Sequence, residues 1–356
     1  MGEGRSVVAP TGEPPDWLGV VADAYAAGVD RWADGSVTVC RVAGGGNNAL
    51  YRVEVDGRVY ACKLCVADER RRAAREYGAL GLLREAGLDV APEPLWLDES
   101  CTALPYPTVV YAWLAGEPLN PALTHGQLAA VSDSVQQMHA LRPCDYERFD
   151  LRAACLQWFD SAPYLARLRD MLNQYGPWLR TTAPDGQDLW ERLARLVERC
   201  AVTFATTSVD PGRGRFPLGL CRADQNLANG IWGEDGRLRW VDWEYSGWGD
   251  PALDLAELRW HAALADLAPA QHAWLRDHYR RPAGDATFNE RLAVWDRFVV
   301  THWPFLVLRR LWSEFNGPDR VRLSQLEGEP AALRARLVRF IERAEQVAAG
   351  GMVDGR

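Results

Sequence analysis

A single lysine is the first residue of chemical interest in this sequence. The 40 basic residues include only one lysine, Lys63, and the rest are arginine. Lys63 lies in the apolar run of residues 59–65, where an unpaired ammonium would be costly to bury. We therefore expect an anionic partner beside it. The alternative is an edge-strand lysine whose stem lies on the protein surface while its charge reaches water.

A glycine-rich segment precedes this lysine. Gly44, Gly45, Gly46 and Asn47 stand between two predicted strands, and glycines let backbone N–H groups approach a phosphate closely. The segment lacks the Gly-Lys-Ser/Thr ending of a Walker loop. A strand rather than a helix follows it, which argues against a dinucleotide fingerprint. A phosphate-binding turn and an ordinary flexible turn both remain open on these residues alone.

The dipeptide Asp56-Gly57 predicts the position of Lys63 relative to this segment. It is typical of a two-residue turn between antiparallel strands. With such a turn Leu50 lies opposite Lys63, so the lysine would stand beside the exit of the glycine segment. A nucleoside triphosphate could then contact both features.

The helix predicted after these strands supplies the expected anion. Glu76 lies four residues before Leu80, which places it beside the apolar, inward face of that helix. We predict Glu76 as the partner of Lys63. Glu69 and Glu85 on the same segment are the competing carboxylates.

A second group of polar residues follows in the distant half of the chain. Asp224 stands five residues before Asn229, and Asp242 follows after a hairpin signal at Asp235-Gly236. A two-residue turn there would pair Asn229 directly with Asp242, with Cβ atoms about 4.5 to 5.5 Å apart. Amide and carboxylate oxygens at that separation suit one Mg²⁺. The alternative is that Asp224 and Asn229 only form a loop and that Asp242 is an ordinary surface charge.

The elements that must position these residues divide the chain into a β-rich part and a helical part. Strands are predicted at 37–40, 50–55, 58–64 and 105–114, and helices at 17–27, 67–86 and 124–141. The last helix begins with a capping box at Thr124. A β segment at 216–244 interrupts a helical remainder that extends over 253–348. We expect a lead and short helix at 1–30, a first lobe at 31–114 and a second at 115–356.

Composition and charge exclude several classes of protein. The chain has 356 residues, of which 48% are hydrophobic, and its formal net charge of −8 argues against nucleic acid as a partner. No apolar stretch approaches the roughly 20 residues that span a bilayer, so we expect no membrane partner. The eight cysteines have no secretory signal ahead of them, which favours reduced thiols and a cytoplasmic location. The oligomeric state stays open.

Together these motifs resemble the aminoglycoside phosphotransferase and choline kinase family. The resemblance implies an α+β, bilobal, protein-kinase-like fold: a small N-terminal antiparallel β-sheet lobe with one helix, and a larger, mainly helical C-terminal lobe. It also implies ATP and Mg²⁺ as cofactors and transfer of the γ-phosphoryl group to a hydroxyl of a small molecule. A cationic acceptor is one candidate.

The resemblance also implies roles for individual residues. Lys63 would hold the α and β phosphates and pair with Glu76, and Asp224 would be the catalytic aspartate. Asn229 and Asp242 would be the magnesium ligands. Nucleotide-binding roles also fall on the glycine segment, on Ala61 in the adenine pocket, and on the inter-lobe hinge at Ala112, Trp113 and Leu114.

One departure from the family pattern motivates a different function. The family usually has a histidine two positions before the catalytic aspartate, and this chain has Arg222 there. We expect altered packing at Arg222 rather than lost activity. The alternative is a catalytically weak or inactive pseudokinase that acts as a nucleotide-binding module. Five tryptophans of the C-terminal helices are predicted as core rather than as a cation-binding wall: Trp260, Trp274, Trp295, Trp303 and Trp312.

Overall fold

The structure is a computed structural model, in which strands and helices are segregated along the chain. It describes residues 13–43, 48–149, 151–155, 157, 161–207, 216–264, 267–317 and 329–349. Among these residues no helix combines the length and the apolar character that crossing a membrane requires. The cysteines form no disulfide within these ranges.

The N-terminal part forms an antiparallel sheet of valine-rich, alternating segments. Its strands are β1 (Arg31–Asp34), β2 (Val37–Val42), β3 (Ala49–Val55), β4 (Arg58–Leu64), β5 (Pro94–Asp98) and β6 (Thr108–Ala112). Their order in the sheet is β1-β2-β3-β4-β6-β5. The strand predicted at 105–114 is shorter than expected, because Pro105 and Pro107 cannot donate to a ladder. Strands β1 and β5 were not expected from the sequence.

The β3–β4 hairpin has the predicted register. Asp56 and Gly57 have φ angles of 50° and 73°, as a type I′ turn requires. Leu50 therefore lies opposite Lys63. Cys62 and Cys65 are both buried, and they belong to the hydrophobic clusters on opposite sides of the sheet, as the strand period predicts.

Two helices, α1 (Leu18–Ala27) and α2 (Arg72–Glu85), pack on this sheet. Helix α2 begins five residues later than predicted. Asp68 forms a turn by accepting hydrogen bonds from the backbone N–H groups of Arg70 and Arg71, and Arg71 has a left-handed φ of 51°. That conformation cannot belong to a right-handed helix, so α2 begins at the next residue.

The C-terminal part is mainly helical and contains two small sheets. Its helices are α3 (His125–Ala140), α4 (Ser161–Thr182), α5 (Gly186–Thr206), α6 (Pro251–Trp260), α7 (Pro269–His278), α8 (Phe288–Asn316) and α9 (Pro330–Ala348). Strands β7 (Glu117–Pro118), β9 (Gly230–Trp232) and β10 (Leu238–Trp240) form one sheet, and β8 (Gly219–Cys221) pairs with β11 (Gly247–Gly249). The predicted capping box at Thr124 is present. The α+β, two-part fold expected from the sequence is confirmed, whereas the exact domain boundaries stay predictions.

The tryptophans of the C-terminal helices belong to the core, as predicted. Trp295 is 1% exposed and Trp260 is 7% exposed. Trp274, Trp303 and Trp312 are partly buried and pack against the same hydrophobic cluster.

A buried ionic network fixes the start of α6. Asp250 is the N-cap of α6 and accepts a hydrogen bond from the backbone N–H of Ala252. Its carboxylate also accepts two hydrogen bonds from Arg291 at 3.0 Å and one from the indole of Trp295 at 2.8 Å. Arg291 is fully buried and also donates to both carboxylate oxygens of Asp285. Because this arginine neutralises two buried carboxylates, its removal would leave both unpaired.

We predict that Arg291→Met lowers the free energy of unfolding by about 3 to 5 kcal/mol, the range expected when a buried ion pair loses one partner. Denaturant unfolding followed by circular dichroism measures the change. Arg297→Met on the same helix is the matched control, because Arg297 is exposed. The control should change stability by no more than about 0.5 kcal/mol. Equal losses in the two variants would contradict the importance of the network.

Candidate active site

A buried ammonium lies where the two parts of the chain meet. Lys63 on β4 is 5% exposed. Its Nζ donates to Oε2 of Glu76 at 2.6 Å and to Oδ1 of Asp242 at 2.5 Å, and it lies 3.6 Å from Oε2 of Glu244. The predicted pairing of Lys63 with Glu76 is therefore present. Two further carboxylates, both from the C-terminal part, share the same cation.

This charge arrangement keeps Lys63 protonated. Burial alone would lower the pKa of Lys63, but Asp242, Glu76 and Glu244 raise it well above its ordinary value. Burial raises the pKa of Glu76, and the neighbouring Asp242 and Glu244 raise it further, against the Lys63 ammonium that lowers it. The site is thus short of positive charge and suited to accept more.

Glu244 connects the sheet, α2 and the segment that follows β10. Its Oε1 accepts a hydrogen bond from Nη1 of Arg72 at 2.5 Å, and its Oε2 accepts one from the side-chain amide of Asn48. Arg72 is 4% exposed and also donates to Asp68 at 2.9 Å. Because both oxygens of Glu244 are engaged, the first turn of α2 is held against the C-terminal part next to Lys63.

The loop that carries Asp224 is organised by a buried aspartate of α6. The carboxylate of Asp254 accepts hydrogen bonds from the backbone N–H groups of Arg222 and Ala223 and from the side chain of Gln225. His139 contacts the same carboxylate at 3.0 Å. Burial alone would raise the pKa of Asp254, but these hydrogen bonds lower it below its ordinary value. Asp254 therefore acts as the structural anchor of the loop.

Arg222, two residues before Asp224, packs between aromatic rings. Its guanidinium lies 4.2 Å from the ring centroid of Trp240 and 5.3 Å from that of Trp243, and it donates to the carbonyl of Val241 at 3.2 Å. Burial lowers the pKa of Arg222 to about 10, so it remains charged at neutral pH. The structure thus gives the contacts of Arg222, whereas the expectation of altered packing with activity retained stays a prediction.

Asp224 itself remains accessible, with 28% of its side chain exposed. Burial raises its pKa to about 6, the Asp242 charge raises it as well, and the Arg222 cation lowers it. The preceding residue, Ala223, has a φ of 57°, and such left-handed non-glycine residues often occur at functional sites. A carboxylate with this pKa can orient a hydroxyl and take its proton near neutral pH.

The predicted pairing of Asn229 with Asp242 is wrong by one residue. The β9–β10 loop has three residues and ends with Gly236 at a φ of 71°, and Gly233 donates to Arg237 across it. This three-residue loop replaces the two-residue turn expected from Asp-Gly. The N–H of Val241 therefore donates to the carbonyl of Asn229 at 2.8 Å, which places Val241 rather than Asp242 opposite the asparagine.

Asp242 is nevertheless directed into the site by its own backbone. Its φ of 63° is left-handed, so the strand alternation that applies to Val241 ends at this residue. The Asp242 carboxylate reaches Lys63 as a result. The side-chain nitrogen of Asn229 is buried without a hydrogen-bond partner among the described residues, which leaves this carboxamide free to turn toward a ligand.

The other predicted nucleotide-binding residues that the structure describes belong to β4 and to the end of β6 with the two residues after it. Ala61 is 2% exposed in β4. The N–H groups of Ala112 and Trp113 donate to the carbonyls of Glu93 and Val59. Within the described ranges the N–H of Leu114 donates to no protein acceptor, so it is the hinge donor available to a ligand. The predicted phosphate-binding residues Gly44, Gly45, Gly46 and Asn47 lie outside the described residues.

Four residues of the site were not selected from the sequence: Asn48, Arg72, Glu244 and His261. Arg72 carried a usable signal, because it precedes Glu76 by one helical turn and so shares its face. His261 Nε2 lies 3.7 Å from Oδ1 of Asp224, a contact between residues on separate elements that has no local sequence signature.

Comparison with known proteins places this geometry in a family. Residues 38–284, more than half of the chain, match the model of the phosphotransferase enzyme family. None of the curated proteins matches the sequence. Several solved structures share the fold at sequence identities under 20%, so they inform the fold alone.

Three of these structures show the extent of the similarity. Spectinomycin phosphotransferase, solved with ADP and spectinomycin, has a TM-score of 0.59 and 13% identity over 88% of this chain and 93% of its own. Choline kinase from Streptococcus pneumoniae has a TM-score of 0.55 and 16% identity over 93% and 98%. A choline/ethanolamine kinase family protein from Mesorhizobium loti has a TM-score of 0.54 and 19% identity over 87% of each chain. By its family match and its shared architecture, this chain belongs to the phosphotransferase enzyme family.

Proposed function

We propose that the protein transfers the γ-phosphoryl group of ATP to a hydroxyl of a small molecule. The observation that carries this proposal is the convergence of Lys63 with Asp242 at 2.5 Å, beside the loop that presents Asp224. One cation and separate carboxylates thus meet at a single crevice. Phosphoryl transfer needs this combination, because its catalysis is mostly positioning and charge neutralisation.

The nucleotide would lie along β4 and the hinge. The Lys63 ammonium would bind the α and β phosphates, while Glu76 and Glu244 keep it protonated and in place. The adenine ring would pack on Ala61 and accept a hydrogen bond from the N–H of Leu114. The glycine segment at 44–46 would cover the phosphates with its backbone N–H groups.

Two residues that flank the β9–β10 hairpin, one before β9 and one after β10, fit a magnesium ion. Asn229 and Asp242 offer oxygen donors, which Mg²⁺ prefers, and the Asn229 carboxamide has no protein partner for its nitrogen in the described ranges. When bound, the ion would supply positive charge that neutralises the phosphates. The Asp242 carboxylate is already directed toward a cation, the Lys63 ammonium.

Asp224 would orient the acceptor hydroxyl for in-line attack. The hydroxyl oxygen forms a bond to the γ-phosphorus, the bond from that phosphorus to the bridging oxygen of ADP breaks, and the hydroxyl proton passes to Asp224. Asp254 keeps the loop rigid through its backbone hydrogen bonds. ADP then leaves with the electron pair of the broken bond.

We predict that Asp224→Asn lowers acceptor-dependent ATP turnover by at least about 1,000-fold while leaving nucleotide affinity within about 3-fold, because the amide cannot take the proton. A coupled ADP-release assay over a panel of hydroxylated acceptors with Mg²⁺ measures turnover, and calorimetry measures nucleotide binding. Asp170→Asn, at an exposed position of α4, is the matched control. Full activity in Asp224→Asn would refute the assigned role, and a pseudokinase would show no acceptor-dependent turnover in the parent protein.

We also predict that Arg72 and Glu244 act as one unit in placing Lys63. Arg72→Met and Glu244→Gln should each lower kcat/KM for ATP about 10-fold or more, and the double variant should lose little beyond either single one. The coupling energy of the cycle should be about 0.5 to 3 kcal/mol. Arg84→Met controls for loss of a helix arginine, because Arg84 is exposed on the same α2. Additive losses would show that the contact does not position the site.

The pKa of Asp224 predicts an acidic limb in the pH–rate profile. A carboxylate whose pKa is raised to about 6 is an effective base above that pH and is protonated below it. Turnover should therefore be retained above about pH 6 and fall tenfold per pH unit below it. The charged or titratable groups near this carboxylate are Asp242, Glu244, Glu257, Arg222 and His261. A rate that stays constant down to pH 4 would contradict Asp224 as the proton acceptor.

A further inference from the structure

One face of α6 and the residue after it adjoin the catalytic loop. Asp254 on this face binds the loop backbone. Glu257 follows one turn later, and His261 one further turn on, so the three side chains share a face. His261 Nε2 lies 3.7 Å from Oδ1 of Asp224, and the His261 side chain is 10% exposed.

The protonation state of His261 is determined by its contacts. The backbone N–H of Ala263 donates to Nδ1 of His261 at 3.1 Å, so Nδ1 must present a lone pair and the ring proton is on Nε2. Burial, together with the Arg336 and Arg222 cations, lowers the pKa of His261 to about 3. The imidazole is therefore neutral, and its contact with Asp224 is not an ion pair.

The Nε2–H group of His261 lacks a protein acceptor. The 3.7 Å to Asp224 is too long for a hydrogen bond, and no other acceptor for this group is found in the described ranges. Trp303 packs edge-on against the imidazole with ring centroids 4.6 Å apart, which holds the ring in place. The indole Nε1–H of Trp303 is buried without a partner in that part of the chain, whereas the His261 side chain keeps 10% exposure, so its Nε2–H can be reached by water or a ligand. Unsatisfied buried donors are rare in proteins and usually await a ligand or water.

The carboxyl group of Glu257, when protonated, can both donate and accept a hydrogen bond. This group is half-buried and makes no hydrogen bond or ion pair with any described residue. Burial, together with the Asp254 and Asp224 charges and against the Arg167 cation, raises the pKa of Glu257 to about 8, so its carboxyl group is largely protonated at neutral pH. The groups around Asp224 on this side are therefore neutral donors and a carboxylic acid, rather than a ring of carboxylates.

We propose that His261 is an acceptor-binding residue whose Nε2–H donates a hydrogen bond to a second oxygen of the acceptor, next to the hydroxyl that Asp224 orients. The enzyme then selects polyhydroxylated molecules, in which a hydroxyl or ring oxygen neighbours the reacting hydroxyl. In a quaternary ammonium alcohol such as choline, the nitrogen near the reacting hydroxyl has no lone pair. Such an acceptor would leave the Nε2–H of His261 unpaired. This inference rests on the proposed phosphotransferase function and adds the chemical class of its acceptor.

The test begins with the acceptor class. Purified protein with ATP and Mg²⁺ is assayed for ADP release with myo-inositol, a series of neutral hexoses, an aminoglycoside and choline. Turnover with a polyhydroxylated acceptor and none with choline is expected. Turnover with choline alone would overturn the inference. If no acceptor raises ADP release above the acceptor-free rate, the proposed function itself fails, and this inference fails with it.

The second step assigns the selection to His261. His261→Phe should raise KM for the active acceptor about 10- to 100-fold, while KM for ATP stays within about 2-fold, because only the acceptor loses a hydrogen bond. His261→Gln keeps an amide N–H near the Nε2 position and should recover most of the affinity. His125→Phe, at an exposed histidine, is the matched control. An unchanged KM for the acceptor in a folded His261→Phe would overturn the inference. If this variant does not fold, the acceptor KM values of His261→Asn and His261→Gln are compared with that of the parent protein in the same way.

The last step removes the oxygen instead of the histidine. The active acceptor is compared with its deoxy analogue that lacks the hydroxyl next to the phosphorylated position. The parent protein should lose about 10- to 100-fold in kcat/KM on this change, and His261→Phe should lose less than about 3-fold. Equal losses of kcat/KM in both proteins would show that His261 does not bind this hydroxyl and would overturn the inference. Full activity of Asp224→Asn in the same assay would separately refute the proposed function.

Discussion

The whole site depends on burying one ammonium among three carboxylates that come from both parts of the chain. Lys63 and Glu76 belong to the sheet and its helix, whereas Asp242 and Glu244 follow β10 in the C-terminal part. An isolated charge in such a place would be strongly destabilising, and removal of Lys63 would leave three carboxylates without this cation. The same attraction that stabilises the cation therefore also sets how the two parts face each other.

A second buried charge gives the catalytic loop its shape. Asp254 accepts hydrogen bonds from two successive backbone N–H groups of the loop and from the side chain of Gln225. His139 contacts the same carboxylate from α3. Helix α6 is in turn fixed at its start by Asp250 and Arg291. A chain of hydrogen-bonded charges thus extends from the helical core to the residue before Asp224. The backbone contacts of this loop are therefore made by Asp254 and do not depend on the side chain of Arg222.

The two sides of Asp224 differ in electrostatic character. On the β4 side, carboxylates surround Lys63 and create a demand for positive charge. Toward α6, the neighbours are a neutral imidazole, an indole and a carboxyl group whose burial raises its pKa to about 8. Charged phosphates would therefore lie on the side of Lys63, and an uncharged polyol would lie on the side of α6. In the proposed reaction, this division would let Asp224 lie between a charged and an uncharged ligand.

Local rules of sequence account for a large share of the fold. The Asp56-Gly57 turn, the strand period around Cys62 and Cys65, and the helical spacing of Glu76 each depend on neighbouring residues, and the structure agrees with all three. The hairpin at Asp235-Gly236 marks the limit of such rules. There the dipeptide is compatible with loops of two or three residues, and the choice changes which residue lies opposite Asn229.

By itself, the sequence determined the fold class, the hairpin that carries Lys63 and the identity of its first partner, because turn chemistry and periodicity act over a few residues. Only the tertiary structure decided that Arg72 meets Glu244 across 172 positions, that Asp242 turns toward Lys63, and that His261 faces Asp224. These contacts depend on how whole elements pack. No local pattern encodes a distance between residues that the chain brings together only when its core is complete.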